Sequence, residues 1–415
     1  MRVRIHRGAH EIGGSCVEIE HEGTRIVLDV GKPLDAGDND HVPLPASIDG
    51  SVAAVLISHY HQDHWGLIDQ VPASVPIYIG EASSRILAVA DYWTRGISIE
   101  PAGFLAHRKP FEIGPFTITP YLSDHSAFDA YSMLVEAGGK RLFYTGDIRG
   151  HGRKSGIFES LVNHPPKDVD VLLMEGTNIR PEVGESGVAE EMISEEEVEI
   201  RCAERMRATE GVVLACYSAQ NIDRVVTLYN AAKRSGRVLV QDLYGASVAK
   251  ATGNPNIPFP GSTHEVPVRV FVPLWQRVKV KKSGEFWRVE EIKPFRIFAE
   301  ELAADPSKWV VAAAVQTARL LEKAGALEGA SAIWSMWPGY MKEGSGKTYV
   351  DWLAARSIPM NIEHTSGHAS VPDLQRLARA IIPGRVVPIH TFGSLSYPSL
   401  FDDVEPHDDD EWWEV

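Results

Sequence analysis

Ser58-His59-Tyr60-His61-Gln62-Asp63-His64-Trp65-Gly66 follows directly on the apolar run Val52-Ala53-Ala54-Val55-Leu56-Ile57. A run this short and apolar predicts a buried strand, so the histidines stand where a strand ends and a loop begins. Alternation along an extended chain points His59 and His61 to one side. Asp63 and His64, on the following turn, reach a second point nearby. Imidazole and carboxylate at this density suit Zn²⁺ or a similar borderline ion, and two such ions about 3.5–4 Å apart form a hydrolytic centre. A solvated histidine-rich loop would need neither the core strand before it nor this spacing.

The surrounding chain has 415 residues, which suits two domains or one domain with a large insertion. Hydrophobic residues make up 44% and charged residues 23%, an ordinary balance for a globular protein with a sizeable core. No apolar run is long enough to span a bilayer, and the opening MRVRIHRGAHEIGG lacks the apolar stretch of a signal peptide. Cys16, Cys202 and Cys216 show no CxxC spacing and read as reduced structural residues, which favours the cytoplasm.

A net charge of −15 counts against a polyanionic partner until its distribution is considered. Residues 401–415 carry eight acids and no Lys or Arg, and are expected to form an acidic, disordered tail. A second block from Glu182 to Glu199 adds eight more acids. Arg269–Arg296, by contrast, holds eight basic residues against three acidic ones, interleaved with Trp275, Phe286, Trp287 and Phe295. Such a mixture can neutralise phosphates and stack bases. A two-stranded ribbon with one solvated and one core face explains it equally well.

Hydrophobic patterning gives an initial strand at Val3–Ile5 and then a hairpin, Cys16–Glu20 and Arg25–Asp29 about His21-Glu22-Gly23. Further strands are expected at Val75–Ile79, Phe116–Tyr121, Ser132–Glu136, Arg141–Tyr144 and Val169–Met174, with a helix from Glu81 to Tyr92. This order reads as an αββα sandwich with a metal site at strand ends. Near residue 180 the character changes. Ser194 is a fitting N-cap for a helix to about Arg207, and Gly211–Cys216, Asn221–Arg234 and Arg237–Gln241 begin a βαβ-like, mostly parallel block. The expected boundaries are 1–185 for the first domain, 186–350 for an insertion, 351–400 for the return to the first domain and 401–415 for the tail. Gly344-Ser345-Gly346-Lys347-Thr348 imitates the end of a phosphate-binding loop, but Met341 stands where its first glycine is needed, so a helix-entry turn is expected.

Two more segments complete a metal-ligand inventory. His125 follows a predicted strand in Leu122-Ser123-Asp124-His125-Ser126, and Asp147 ends another in Tyr144-Thr145-Gly146-Asp147. Each alone is unremarkable as a loop residue. With the 59–64 cluster they supply a third nitrogen for one ion and a carboxylate able to bridge two. Asp29, at the end of Ile26–Leu28, is placed to orient a ligand from behind.

In this order and strand-end placement, Asp29, the HxHxDH run, His125 and Asp147 resemble the motifs of the metallo-β-lactamase superfamily, over roughly the first 180 residues. That superfamily hosts several chemistries, so the fold leaves the substrate open. Glu175 in Leu172-Leu173-Met174-Glu175-Gly176-Thr177, His368 in His364-Thr365-Ser366-Gly367-His368-Ala369 and His390 in Pro388-Ile389-His390-Thr391 are similar to the extra motifs of the β-CASP nucleases. The SGHA run and His10–Ser15 point closest to the ribonuclease J branch. The resemblance therefore implies an α/β protein: an αββα metallo-β-lactamase sandwich with an inserted, mostly parallel α/β β-CASP domain.

It further implies two Zn²⁺ per chain, with Mn²⁺ or Mg²⁺ in place of or beside zinc. His59, His61 and His125 would hold one ion, Asp63, His64 and His390 the other, and Asp147 would bridge. A metal-activated hydroxide would attack phosphorus, with Asp63 and Asp147 among the catalytic residues. His368, oriented by Glu175, would protonate the leaving oxygen, while His364 and Ser366 would hold a substrate phosphate. For His364 and His368 a structural role satisfied by backbone carbonyls stands beside the functional one. The implied activity is hydrolysis of single-stranded RNA, endonucleolytic, from the 5′ end, or both. His390 favours RNA, since DNA-directed relatives carry valine there. The resemblance allows a homodimer and gives no role to a membrane.

The match has gaps. Ribonuclease J usually continues into a further C-terminal domain, whereas this sequence stops shortly after His390, so the expectation is of a ribonuclease J-like protein lacking that domain. The last motif reads His390-Thr391-Phe392 instead of histidine-glycine-glutamate. A threonine-glycine-serine-glutamine loop is not recognisable around Val315-Gln316-Thr317. A phosphodiesterase acting on DNA or a small nucleotide, and a non-catalytic RNA-binding subunit, remain as alternatives.

Overall fold

The apolar run before the histidines forms the buried strand Ala54–Leu56. The computed structural model describes residues 1–37, 40–94, 99–180 and 192–415. The chain divides into two units: Met1–Ala88 with Ile97–Met192 and Gly367–Val415, and Val89–Gly96 with Ile193–Ser366.

In the first unit, Ala54–Leu56 lies inside a seven-stranded sheet. Its order is Trp412–Glu414, Arg2–Arg7, Cys16–His21, Thr24–Leu28, Ala54–Leu56, Ile77–Gly80 and Gly103–Leu105. The predicted hairpin is present, with Val17 opposite Leu28 and Ile19 opposite Ile26. Its two turn residues, Glu22 and Gly23, both have positive φ (49° and 77°), matching the twist of the paired strands. A six-stranded sheet runs Arg385–Ile389, Val171–Glu175, Lys140–Tyr144, Ala130–Ala137, Phe116–Ser123 and Phe111–Ile113. Ile5, Ile19, Leu28 and Leu56 from the first sheet and Phe116, Met133, Leu142 and Leu173 from the second share one core. On the other face of the second sheet, helices Ser155–Asn163 and Val371–Ile381 bury Phe158, Leu161, Leu374 and Leu377 against Phe143, Leu172 and Met174. This is the layered mixed fold expected from the sequence.

Strand direction places the functional segments. Thr24–Leu28, Ala54–Leu56 and Ile77–Gly80 are parallel, so Asp29 and the 58–64 segment leave the same edge of their sheet. Lys140–Tyr144, Val171–Glu175 and Arg385–Ile389 are likewise parallel, which brings Asp147, Glu175 and His390 to a common edge of theirs. Crevices beyond the carboxyl ends of parallel strands are where such sheets collect ligands.

The second unit holds a seven-stranded sheet whose pairs are all parallel: Arg296–Ile297, Arg269–Phe271, Val238–Gln241, Trp309–Ala312, Val213–Cys216, Ser331–Trp334 and Met360–Ile362. Its central strands, Val238–Gln241, Trp309–Ala312, Val213–Cys216 and Ser331–Trp334, are short, largely buried runs, the pattern of a sheet covered by helices. Ser194 caps the helix Glu195–Ala208, its hydroxyl accepting from the Glu197 amide at 3.1 Å. The GSGKT segment enters the helix Gly344–Ala354, as its missing glycine predicts.

Three expectations are corrected. The acidic tail is ordered: Trp412–Glu414 pairs with Arg2–Arg4, Trp413 joins the core, and the Arg2 and Arg4 guanidiniums each lie 4.5 Å from the Trp412 ring. Two tryptophans in a strand outweigh the local charge. The return to the first unit comes after Ser366, not at 351, because Met360–Ile362 still pairs with Ser331–Trp334. Most of the basic–aromatic segment is helical, Leu274–Ser283 and Trp287–Glu291, so the ribbon alternative falls. Residues 182–191 of the second acidic block, and the expected boundary at 185, lie outside the described residues.

Candidate metal centre

The local chain turns sharply after Leu56, and Asp29 is the reason. Asp29 sits at φ 58°, fully buried, and accepts from the Ser58 amide (2.7 Å), the Ser58 hydroxyl (2.7 Å) and the Tyr144 hydroxyl (2.7 Å). Its Oδ2 also lies 2.8 Å from His64 Nδ1, which aims the opposite ring nitrogen away from it. The short helix Gln62–Trp65 then carries Asp63 and His64. Asp147 enters beside Gly146, whose φ of 51° and close approach to Ser58 Cβ and the Tyr131 carbonyl disfavour any side chain there. His390 is held at φ 54°, with its amide donating to the Gly8 carbonyl at 2.7 Å.

These loops bring the ligand atoms of His59, His61, His125 and Asp147 within 4.8 Å of one another, and those of Asp63, His64, Asp147 and His390 equally close. Asp147 belongs to both groups. Its Oδ2 lies 3.5 Å from His59 Nε2, 3.2 Å from His64 Nε2 and 3.7 Å from His125 Nε2. His390 Nε2 lies 3.2 Å from Asp63 Oδ2. A third group adjoins them: Glu175, His368 and His390. His368 Nδ1 is 3.4 Å from Glu175 Oε2 and 3.7 Å from Asp147 Oδ2. Glu175 also accepts from the amides of Ile148 (3.3 Å), Ala369 (3.3 Å) and Thr177 (3.1 Å), tying together the loops that carry Asp147 and His368.

Burial pushes His59 and His125 well below the ordinary imidazole range, and takes His61 down to about 4. Neutral imidazole is the form that binds a cation. His64 is the exception: burial alone would lower it, but Asp147, Asp29 and Asp63 hold it well above its usual value. Asp147 resists the upward push of burial because His390, His64 and His368 hold it well below the carboxylate range, and Asp63 is lowered to about 2 against the same burial. Burial likewise lowers His368, yet Asp147 and Glu175 bring it up to about 9.

The donor set fits divalent ions. His59 Nε2 and Asp147 Oδ1 are buried without a hydrogen-bond partner among the described residues, an arrangement that costs free energy unless their lone pairs go to cations. Nitrogen and carboxylate oxygen in this mixture suit zinc-like metals.

Residues 24–210 match the family described as the beta-lactamase superfamily domain, and that span contains Asp29 through Glu175. That span has the metallo-β-lactamase fold. The chain is also 28% identical over 191 and 254 residues, respectively, to two curated relatives. One is the RNase J-like protein of Methanocaldococcus jannaschii, covering 42% of each chain, and the other is Ribonuclease J of Mycobacterium tuberculosis, covering 57% of this chain and 43% of the relative. It is 27% identical over 204 residues to Endoribonuclease ysh-1 of Neurospora crassa, 41% of this chain and 23% of that one. The chain spans about two-fifths of the length of the first two. A crystal structure of a protein of unknown function from Enterococcus faecalis V583 aligns with a TM-score of 0.77 over 99% of both chains at 20% identity, which is a likeness of fold.

Around this candidate centre, the structure brings together Asp29, His59, His61, Asp63, His64, His125, Asp147, Glu175, His368 and His390. His364 and Ser366 belong to the second unit, where His364 Nδ1 lies 3.5 Å from the buried Arg224 guanidinium. Sequence reading missed Ser58, Tyr144 and Thr177. Thr177 Oγ1 stands 2.8 Å from His390 Nδ1 and 3.1 Å from His368 Nδ1. Its only signal was its place two residues beyond the strand-end Glu175.

Proposed function

We propose that the protein is a β-CASP-type, zinc-dependent ribonuclease that hydrolyses phosphodiester bonds of single-stranded RNA. The observation that carries this reading is the sharing of Asp147 between two ligand groups, with Glu175 and His368 beside them. One group without the other would serve a structural ion; two groups joined by a carboxylate, with a proton donor at the rim, serve hydrolysis. The ribonuclease names of the relatives, and a parallel α/β unit inserted between two segments of the metallo-β-lactamase domain, support the choice of RNA.

His59, His61 and His125 would hold one ion, Asp63, His64 and His390 the other, and Asp147 both. When bound, such a pair supplies Lewis-acid stabilisation of a phosphoryl group and makes water acidic enough to act as a nucleophile near neutral pH. The chain's own residues do the rest. Asp29 holds His64 by its Nδ1, so only Nε2 is left to ligate. Glu175 and Asp147 hold His368 in its charged form, and His368 gives that proton to the leaving 3′-oxygen. His364 and Ser366 are assigned to a substrate phosphate. Mn²⁺ or Mg²⁺ would act in the same ligand set, and the compartment in this reading is the cytoplasm.

Incubation of the metal-loaded protein with 5′-labelled RNA and DNA, bearing hydroxyl or monophosphate ends, tests the reading. RNA should be cut and DNA of the same sequence left intact, with product lengths reporting the endo- or exonucleolytic mode. Cleavage of dinucleotides or DNA with RNA untouched would replace the ribonuclease with a different phosphodiesterase.

A further inference from the structure

Leu274–Ser283 forms a helix closed by Gly284 at φ 75°, and the short helix Trp287–Glu291 follows it. Only Gln276 and Val280 of the first helix are buried. At about 100° per residue, Leu274, Val278 and Lys281 lie opposite that pair, flanked by Arg277 on one side and Trp275 and Lys282 on the other. Leu274 is 57% exposed, Val278 42%, and Phe286 and Trp287, just beyond, 57% and 54%. Of the fifteen large apolar side chains exposed among the described residues, five fall between positions 274 and 287, so this is a patch and not the scattered exposure of an ordinary surface.

The charges of the patch are unbalanced. Its three acids are occupied: Glu285 by Arg288 at 2.7 Å, Glu290 by Lys293 at 3.6 Å and Glu291 by Lys250 at 2.5 Å. Arg277, Lys281 and Lys282 make no ion pair among the described residues. A chain with a net charge of −15 thus keeps three unneutralised cations among exposed aromatic rings. Arg288 already stacks between Tyr92 (3.8 Å) and Trp287 (4.4 Å), which fixes the Trp287 indole in place.

We propose that this helical face is a docking surface for single-stranded RNA, its cations taking phosphates and its exposed rings stacking bases without regard to sequence. The proposal rests on the ribonuclease reading above. Phosphates complement the three cations, and bases complement the rings. A membrane-surface helix segregates its cations from its apolar face, whereas here Arg277 and Lys281 interleave with Leu274 and Val278.

The test measures binding of a fluorescent oligouridylate and its salt dependence, for the full chain and for the Arg277→Glu/Lys281→Glu/Lys282→Glu and Trp275→Ala/Trp287→Ala variants. Unchanged melting temperature and metal content serve as the folding control. The charge variant should bind at least about tenfold more weakly, with the slope of log K against log salt shallower by about 2, and the aromatic variant should weaken binding while keeping the slope. If the charge variant does not fold, Arg277→Gln/Lys281→Gln/Lys282→Gln replaces it with the same expected direction. Unchanged affinity and slope in a parent that binds and cuts RNA would overturn this surface alone. A parent that neither binds nor cuts RNA would overturn the ribonuclease reading with it. Binding of the patch to phosphatidylglycerol vesicles, lost in the same variants while RNA binding persists, would also overturn it.

Discussion

Thr177 Oγ1 lies 2.8 Å from His390 Nδ1 and so leaves Nε2 as the ring nitrogen of His390 that faces the Asp63 carboxylate, 3.2 Å away. The same hydroxyl is 3.1 Å from His368 Nδ1, which makes Thr177 the shared support of a candidate ligand and a candidate acid. Removal of a support behind a metal ligand typically costs 10–100-fold in affinity. Thr177→Val is therefore expected to weaken metal binding by about tenfold or more in a chelator competition, and Thr177→Ser to restore it. Equal affinities for all three proteins would remove Thr177 from the centre.

His368→Ala tests the proposed proton delivery separately from metal binding. Metal analysis should find the same equivalents per chain as in the parent, because His368 belongs to neither four-residue ligand group. Turnover of RNA should fall by about 10²–10⁴-fold, the usual contribution of a positioned acid. Undiminished turnover would assign the acid elsewhere.

Asp29 satisfies two donors of Ser58, the Tyr144 hydroxyl and His64. Asp29→Ala strands these groups in a fully buried site, at about 1–3 kcal/mol for each donor left unpaired. Urea unfolding of the metal-free protein should show a loss of about 3 kcal/mol or more. A loss below about 1 kcal/mol would mean that the loop rearranges to find other partners.

Glu18 gives a pH signature away from the metal centre. Its side chain is fully buried, and although burial alone would raise its carboxyl, His6, Arg4, Arg25 and Ser47 bring it from 4.5 to about 2. A carboxyl depressed by folding stabilises the native state above its unfolded value, and that stabilisation disappears as pH falls from about 4.5 towards about 2. At neutral pH the contribution is on the order of 3 kcal/mol. Glu18→Gln should be less stable than the parent at pH 7, with the difference closing between about pH 4.5 and 2. A difference constant with pH would contradict the linkage.

The ordered C-terminal strand predicts that Trp413→Ala is costly, about 3–5 kcal/mol for an indole 7% exposed in the main core. Hydrogen exchange should protect the amides paired between Trp412–Glu414 and Arg2–Arg4. Fast exchange there would restore the disordered tail that the acidic composition suggests.

Most of the candidate site was legible from the chain because it is local: His59, His61, Asp63 and His64 follow one strand, and short apolar runs mark the strand ends at Asp29, His125, Asp147 and Glu175. The sequence by itself determined those residue types, the strands that carry them and the alternation that marks a mixed first unit and a parallel second one. Only tertiary structure decided that Asp147 lies within reach of His59, His64 and His125, that Thr177 stands behind His390, and that the tail with its eight acids closes a sheet through Trp412 and Trp413. Those outcomes depend on contacts between residues up to hundreds of positions apart, whose free energy comes from shared burial and paired hydrogen bonds. Local composition contains no term for either. The patch at 274–287 makes the same point, since the sequence allowed its aromatic residues equally to stack bases or to form the buried face of a ribbon, and the folded chain turned Trp275, Phe286 and Trp287 to solvent.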